Sequence, residues 1–246
     1  MTSCRHNPYL LGFFVVVLSP LSAAFTGSLL WRKSPVTCAG PRRSIHPSVM
    51  KANGAEVSLF SMKQAQALKQ IILDEAAGTS NGLKASRQQR DAISKAVNGL
   101  VAQNPTGDIT TSELATGKLS PCFAACIWRT WNLVYTTTAG ASGGKLGPFV
   151  GEVQQEVDIA DGLYVNYVRV GPLTGELEAN WEVVNKTQWK VIFKTIAFLL
   201  FGQQLVKKEL GQAGLWTLSY LDNDMRVLTA RSLDRDTGNL YVLARA

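Results

Sequence analysis

The sequence predicts a mainly β domain preceded by helices, an α+β arrangement whose strands form an antiparallel barrel or sandwich. Three observations carry this. Between residues 61 and 104, apolar side chains recur at helical spacing in two short segments, each opening on a Ser-x-x-Gln pair. Beyond residue 130 the period changes to two, in segments rich in Val, Ile, Thr and aromatic residues. The last three of these segments are separated only by the polar turns DND and DRDTGN, so neighbouring strands run antiparallel without helical crossovers.

Each element has a local reason. Ser61 and Gln64 box the start of the first helix, which carries Met62, Ala65, Leu68 and Ile72 and ends before Gly78. Ser86 and Gln89 box the second, with Ile93, Val97, Leu100 and Val101 on one face and Asn104-Pro105 as its stop. Helices this short need a surface to pack against. The stretch WNLVYTTT sets Trp131, Leu133 and Tyr135 on one strand face. GLYVNYVRVG and ANWEVVNKTQWKVIFKTI read as further strands, and GLWTLSYL puts Trp216, Leu218 and Tyr220 on one face. Residues 196–201 are apolar on every side and read as a strand continuing into a short helix beneath the barrel mouth. Lys194 and Lys207 bound too few apolar residues there to span a membrane.

Charge is unevenly placed. The 246 residues carry a formal +7, but Arg5, Arg32, Lys33, Arg42, Arg43 and Lys51 lie in the first 55 residues, which hold no acid. Removing those six from the 25 basic residues leaves 19 against 18 acidic ones, so a dedicated nucleic-acid surface is not expected. Arg5, the apolar run 9–18 and the small residues Ser22, Ala23 and Ala24 form a signal peptide over 1–24, too short to cross a bilayer. Residues 25–55 have a transit-peptide composition, with Ser, Thr, Pro and basic residues. The sequence SAAFTGSLL resembles the two-part leaders of algae whose plastids derive secondarily from red algae, cut once before Phe25 and again near 50–56. That resemblance implies a complex plastid, in its stroma or peripheral to its thylakoids or lipid droplets. A single cut and secretion is the alternative.

The leader also decides the chemistry. His6, His46, Cys4 and Cys38 all fall within it, so the mature chain holds no histidine. Ser-His-Asp, Cys-His and His-ligated metal sites are therefore excluded there, and no catalytic or metal-binding residue is assigned. AGASGGKLG fails as a phosphate loop, with Ala139 where Gly is needed and Leu146 where Ser or Thr is needed. Residues 234–238, DRDTG, lack the remaining ligands of a calcium loop and read as a turn. Asp222 and Asp224 read as solvated turn carboxylates. Cys122 and Cys126 form a C-x₃-C pair that is free, disulfide-bonded or redox-active.

The chain from about residue 61 to 246 resembles the plastid lipid-associated protein family, the fibrillins. The resemblance rests on order and spacing. Asn104-Pro105-Thr106 follows the second helix. Trp131, Leu133, Tyr135, Thr136 and Thr137 match a W-x-L-x-Y-T-T segment. Gly151, Val153, Gln155 and Asp158 follow, then Gly162 and Asn166. The closing pattern is Gly214, Trp216, Tyr220, Asp222, Arg226, Arg231, Gly238, Val242 and Arg245. One departure stands out: Arg129 occupies the position two before the first Trp, where the pattern has Gly. Removing 119–130 would join Gly117-Lys118 to Trp131, so LSPCFAACIWRT reads as an insertion, either a retained intron or a surface loop.

The resemblance implies a helical region over 56–106 and a lipocalin-like β-barrel over 107–246. It implies association with plastid lipids and no enzymatic activity. The expected ligand is a carotenoid, a prenylquinone or a galactolipid, held at a thylakoid or plastoglobule surface, with no other cofactor. The alternative is an adaptor that docks on a plastid protein partner, or a coat on lipid droplets. Candidate ligand-binding or barrel-core residues are Trp131, Tyr135, Asn166, Trp181, Phe193, Trp216, Tyr220, Arg226 and Arg245. In such barrels a Trp near the first strand packs on an Arg from the last, closing the barrel floor, and Arg245 or Arg231 is the expected partner of Trp131.

Overall fold

Two helices lead into the sheet, α1 (Leu59–Ala76) and α2 (Arg87–Val101), in a computed structural model that describes residues 59–116, 129–158 and 162–246. The expected signal and transit segments lie outside those residues, as do positions 119–128 of the expected insertion. Arg129 and Thr130 open the first strand. The second capping box forms as expected: the Ser86 side chain accepts from the Gln89 N–H, and the Gln89 side chain returns to the Ser86 N–H. The first does not. Ser61 lies inside α1 rather than at its cap, and its hydroxyl meets Gln103 Oε1 at 3.5 Å. A single turn, α3 (Glu113–Thr116), follows.

The strands are β1 (Arg129–Thr136), β2 (Lys145–Leu146), β3 (Phe149–Val150), β4 (Glu152–Asp158), β5 (Leu163–Val170), β6 (Leu173–Asn185), β7 (Gln188–Leu200), β8 (Gln203–Glu209), β9 (Ala213–Leu221), β10 (Met225–Ser232) and β11 (Asn239–Arg245). Eight of them pair antiparallel in chain order, β1–β4–β5–β6–β7–β9–β10–β11, and β11 returns to β1. This is the up-and-down, lipocalin-like barrel that the sequence predicts, closed so that the ring itself has no free edge. The small β2–β3 hairpin sits in the β1–β4 connection, and β8 extends outward from β7.

Two bulges decide which face several aromatic residues use. In β1, Leu133 pairs with Leu243 but Tyr135 pairs with Val242, so one extra residue stands between them. In β9, Leu218 pairs with Leu228 while Tyr220 pairs with Val227. An extra residue flips everything beyond it to the other face. Trp131, Leu133, Trp216 and Leu218 point into the barrel, whereas Tyr135 and Tyr220 turn outward beneath the helices. There they join Ile72, Ile93, Leu100 and Val242 in a second apolar cluster. Trp216, Leu218 and Tyr220 therefore do not share one face.

The helical layer is tied to the barrel at three points. Asn104 Oδ1 accepts from the Leu221 N–H at 3.0 Å and the Thr106 hydroxyl donates to the Leu221 carbonyl at 2.6 Å, so the Asn-Pro-Thr segment clamps the end of β9. In the α1–α2 turn, the Asn81 amide donates to the Gly143 and Gly151 carbonyls, and the Asn81 carbonyl accepts from the Thr136 N–H. Lys69 forms an ion pair with Asp222, which also accepts from the Tyr220 hydroxyl at 2.6 Å and from the Asp224 and Met225 N–H groups. Asp222 is thus not the solvated turn carboxylate the sequence suggests, although Asp224 is largely exposed.

Residues 196–201 form no helix. β6 pairs with β7 along its full length, and that ladder continues to Leu173 opposite Leu200. The chain then reverses at Phe201 (φ 51°) and Gly202 (φ 80°), two left-handed residues that make a tight hairpin. β9 pairs with β7 only over Gln188–Ile192; further along, β7 pairs with β8.

Candidate functional site

The barrel interior collects the chemistry-bearing side chains. Alternation along β4 and β5 sends Val153, Gln155 and Val157 inward opposite Val168, Asn166 and Tyr164. Trp131 lies beside Gln155 across the β1–β4 ladder. From the far wall, β10 sends in Arg226, paired across β11 with Leu243. Trp189 and Trp216 face each other across β7 and β9.

The aromatic groups interlock. Tyr164 meets Trp216 edge-on with ring centroids 4.8 Å apart, and Trp181 stacks on Trp189 at 4.7 Å. Trp181, Phe193 and Phe198 are only half-buried, where β7 leaves β9 for β8.

Arg226 is the polar centre. It is 0% exposed, and its guanidinium carbon lies 5.2 Å from the Trp131 ring centroid. Nη2 donates to Gln155 Oε1 at 2.5 Å. Nε and Nη1 have no partner among the described residues, and neither does the Trp131 indole N–H. Burial pushes the Arg226 pKa down to about 10, against a smaller upward pull from Tyr164, so the group stays cationic at neutral pH. Burial also pushes the Tyr164 phenol well above its ordinary value, and its hydroxyl donates to Asn166 Oδ1 at 3.2 Å.

The predicted residues are therefore divided. Trp131, Asn166, Trp216 and Arg226 meet in the interior, with Trp181 and Phe193 half-buried against that core. Tyr135 and Tyr220 do not belong to it. Arg245 stands opposite Trp131 in the ladder but is exposed at the end of its strand, where it donates to the Asn223 carbonyl. Arg231 donates to the Arg235 carbonyl. The arginine over Trp131 is Arg226, two strands away through β11. Sequence reasoning assigned no role to Gln155 or Tyr164. The signal for Tyr164 was present, since it alternates with Asn166 on one strand face.

Outside the barrel, the β7–β8 hairpin presents apolar surface. Phe201 is 81% exposed at its tip, with Leu205 and Val206 behind it. Lys207 and Lys208 follow on opposite faces of β8, and Lys207 reaches Glu178 at 3.3 Å. Among the described residues, no three His, Cys, Asp or Glu side chains stand together as a metal site, and no helix is long and apolar enough to cross a membrane.

A model of the family described as PAP_fibrillin matches residues 66–213 of the chain. Neither the curated proteins nor the solved structures supply a match.

Proposed function

The chain belongs to the PAP_fibrillin family of plastid lipid-associated proteins, and from that premise we propose that its barrel binds one apolar lipid without catalysis. The ligand is a carotenoid, a prenylquinone or the acyl part of a galactolipid, taken up at a thylakoid or plastoglobule surface. The protein works in the plastid, and the leader composition of residues 1–55 supports that compartment.

One observation carries this reading. An eight-stranded barrel is wide enough to be filled by its own side chains or to hold one small ligand, and the aromatic lining here, Trp131, Tyr164, Trp181, Trp189, Phe193 and Trp216, supports the second. Burying apolar ligand area there contributes about 25 cal/mol per Å² before the cost of association. The half-buried wall along β7 supplies a way in. Native mass spectrometry of the protein after exposure to a plastid lipid extract tests it: one discrete mass shift per chain is expected, and an unshifted barrel would favour the adaptor.

The hairpin supports a second, compatible role in docking to a lipid surface with anionic head groups. A tight turn of this kind favours Asn-Gly, yet Phe201 occupies the first left-handed position and so holds an aromatic ring in solvent. An apolar tip backed by Lys207 and Lys208 suits the boundary between acyl chains and negative head groups.

A further inference from the structure

Resting on interior binding alone, and in place of the neutral lipids named above, we propose that Arg226 receives the carboxylate of a long-chain fatty acid, whose chain lies among the interior aromatic rings. The reason is an unbalanced charge. Arg226 is completely buried, yet its one polar partner among the described residues is the neutral amide of Gln155. Three of its five N–H donors, one on Nε and two on Nη1, meet no acceptor among the described residues. The neighbouring Trp131 indole N–H also lacks one.

Buried charges in proteins are normally paired. Among the residues whose side-chain burial is described, no Asp or Glu is buried. Their ion pairs, Lys69–Asp222, Lys69–Asp224, Arg87–Asp91, Lys190–Glu182 and Lys207–Glu178, all involve other residues. A ligand oxygen bearing negative charge would supply what the protein omits. A guanidinium binds a carboxylate through strong charge-assisted hydrogen bonds.

Charge and size narrow the ligand further. One uncompensated cation matches a monoanion, whereas a phosphomonoester would bring excess negative charge. An eight-stranded barrel can hold at most one small ligand, which favours a single chain over a two-chain phospholipid. Trp131, whose ring lies beneath the guanidinium, and the Tyr164–Asn166 pair on the opposite wall frame the head group.

Isothermal titration with palmitate and with hexadecanol, which share a chain but differ in charge, tests the assignment. Wild-type protein should bind palmitate at least tenfold more tightly. Arg226→Met should remove that preference, weakening palmitate at least tenfold more than it changes hexadecanol, and Arg226→Lys should restore part of it. Equal affinity of the wild type for both ligands would overturn the carboxylate assignment while preserving interior binding, and that comparison needs no variant. Undiminished palmitate binding by a folded Arg226→Met protein would also overturn it. Binding of neither ligand to the wild type would overturn the fatty-acid assignment, while the lipid-extract measurement decides interior binding separately.

Discussion

Arg226 lies over the indole of Trp131, 5.2 Å from the ring centroid, although their strands β10 and β1 are separated in the sheet by β11. The contact spans the barrel closure, because β11 pairs with both. It packs a charged group and the 1%-exposed Trp131 side chain into the same small volume. Replacing Trp131 with Ala should cost about 3–5 kcal/mol of stability, the usual range for a buried Trp. Urea unfolding would measure it; a loss under 1 kcal/mol would mean that Trp131 does not help close the barrel.

Tyr220 should behave as an outer-layer residue. Its hydroxyl donates to Asp222 and its ring packs with the helices. Tyr220→Phe should cost about 1 kcal/mol for the lost hydrogen bond and leave lipid affinity unchanged. A drop in affinity at unaltered stability would return Tyr220 to the interior.

The Lys69–Asp222 contact makes stability depend on acid pH. Burial alone would raise the Asp222 pKa, but Lys69, the Tyr220 hydroxyl and the Asp224 and Met225 N–H groups hold it below the ordinary carboxylate value. A depressed folded-state pKa stabilises above the unfolded value of about 3.9, and that contribution is lost as pH falls through the lower folded value. Asp222→Asn should therefore cost about 1–3 kcal/mol at pH 7 and make the acid limb shallower. Identical acid limbs in denaturant titrations of the two proteins would contradict this.

Gly82 has φ +95°, and a Cβ there would come within 2.6 Å of the Thr136 carbonyl and 2.8 Å of the Tyr135 ring. Gly82→Ala combines backbone strain with a clash against β1, so a loss of about 1–3 kcal/mol is expected, read as a lower melting temperature. An unchanged melting temperature would show that the helical turn does not rest on β1.

At the hairpin tip, function and local stability should oppose each other. Phe201→Asn suits the left-handed position and should leave stability unchanged or raise it by about 1 kcal/mol. The same substitution should reduce flotation with phosphatidylglycerol vesicles several-fold, and Phe201→Asp should reduce it further. Vesicle binding indifferent to both changes would remove the lipid surface as the hairpin's partner and leave a protein partner in its place.

Legibility followed range. The Ser86–Gln89 box is a four-residue signal, and it forms as read. The alternating late segments gave antiparallel strands for the same reason, since a period of two is local to each strand, and the family resemblance chose the barrel over a sandwich. The bulges before Tyr135 and Tyr220 have no such mark. Each arises from register with a partner strand, so two aromatic residues expected inside point to the helices instead. The stretch 196–201 is apolar on all sides, and only pairing with β6 fixes it as a strand. The arginine over Trp131 was misassigned for a related reason. Arg245 is opposite Trp131 in the ladder, but it lies at the end of its strand in water, while Arg226 sits deep within β10. Asp222 looked solvated because its partner Lys69 is 153 positions away in the chain, on a helix whose docking no short motif records.

The central claim, that one lipid occupies the barrel, is tested most directly by quenching tryptophan emission with a long-chain lipid brominated along its chain. Trp131, Trp189 and Trp216 lie within the interior, so quenching should rise steeply and saturate at one lipid per chain. Quenching that is absent, or that grows without saturation as lipid is added, would contradict interior binding.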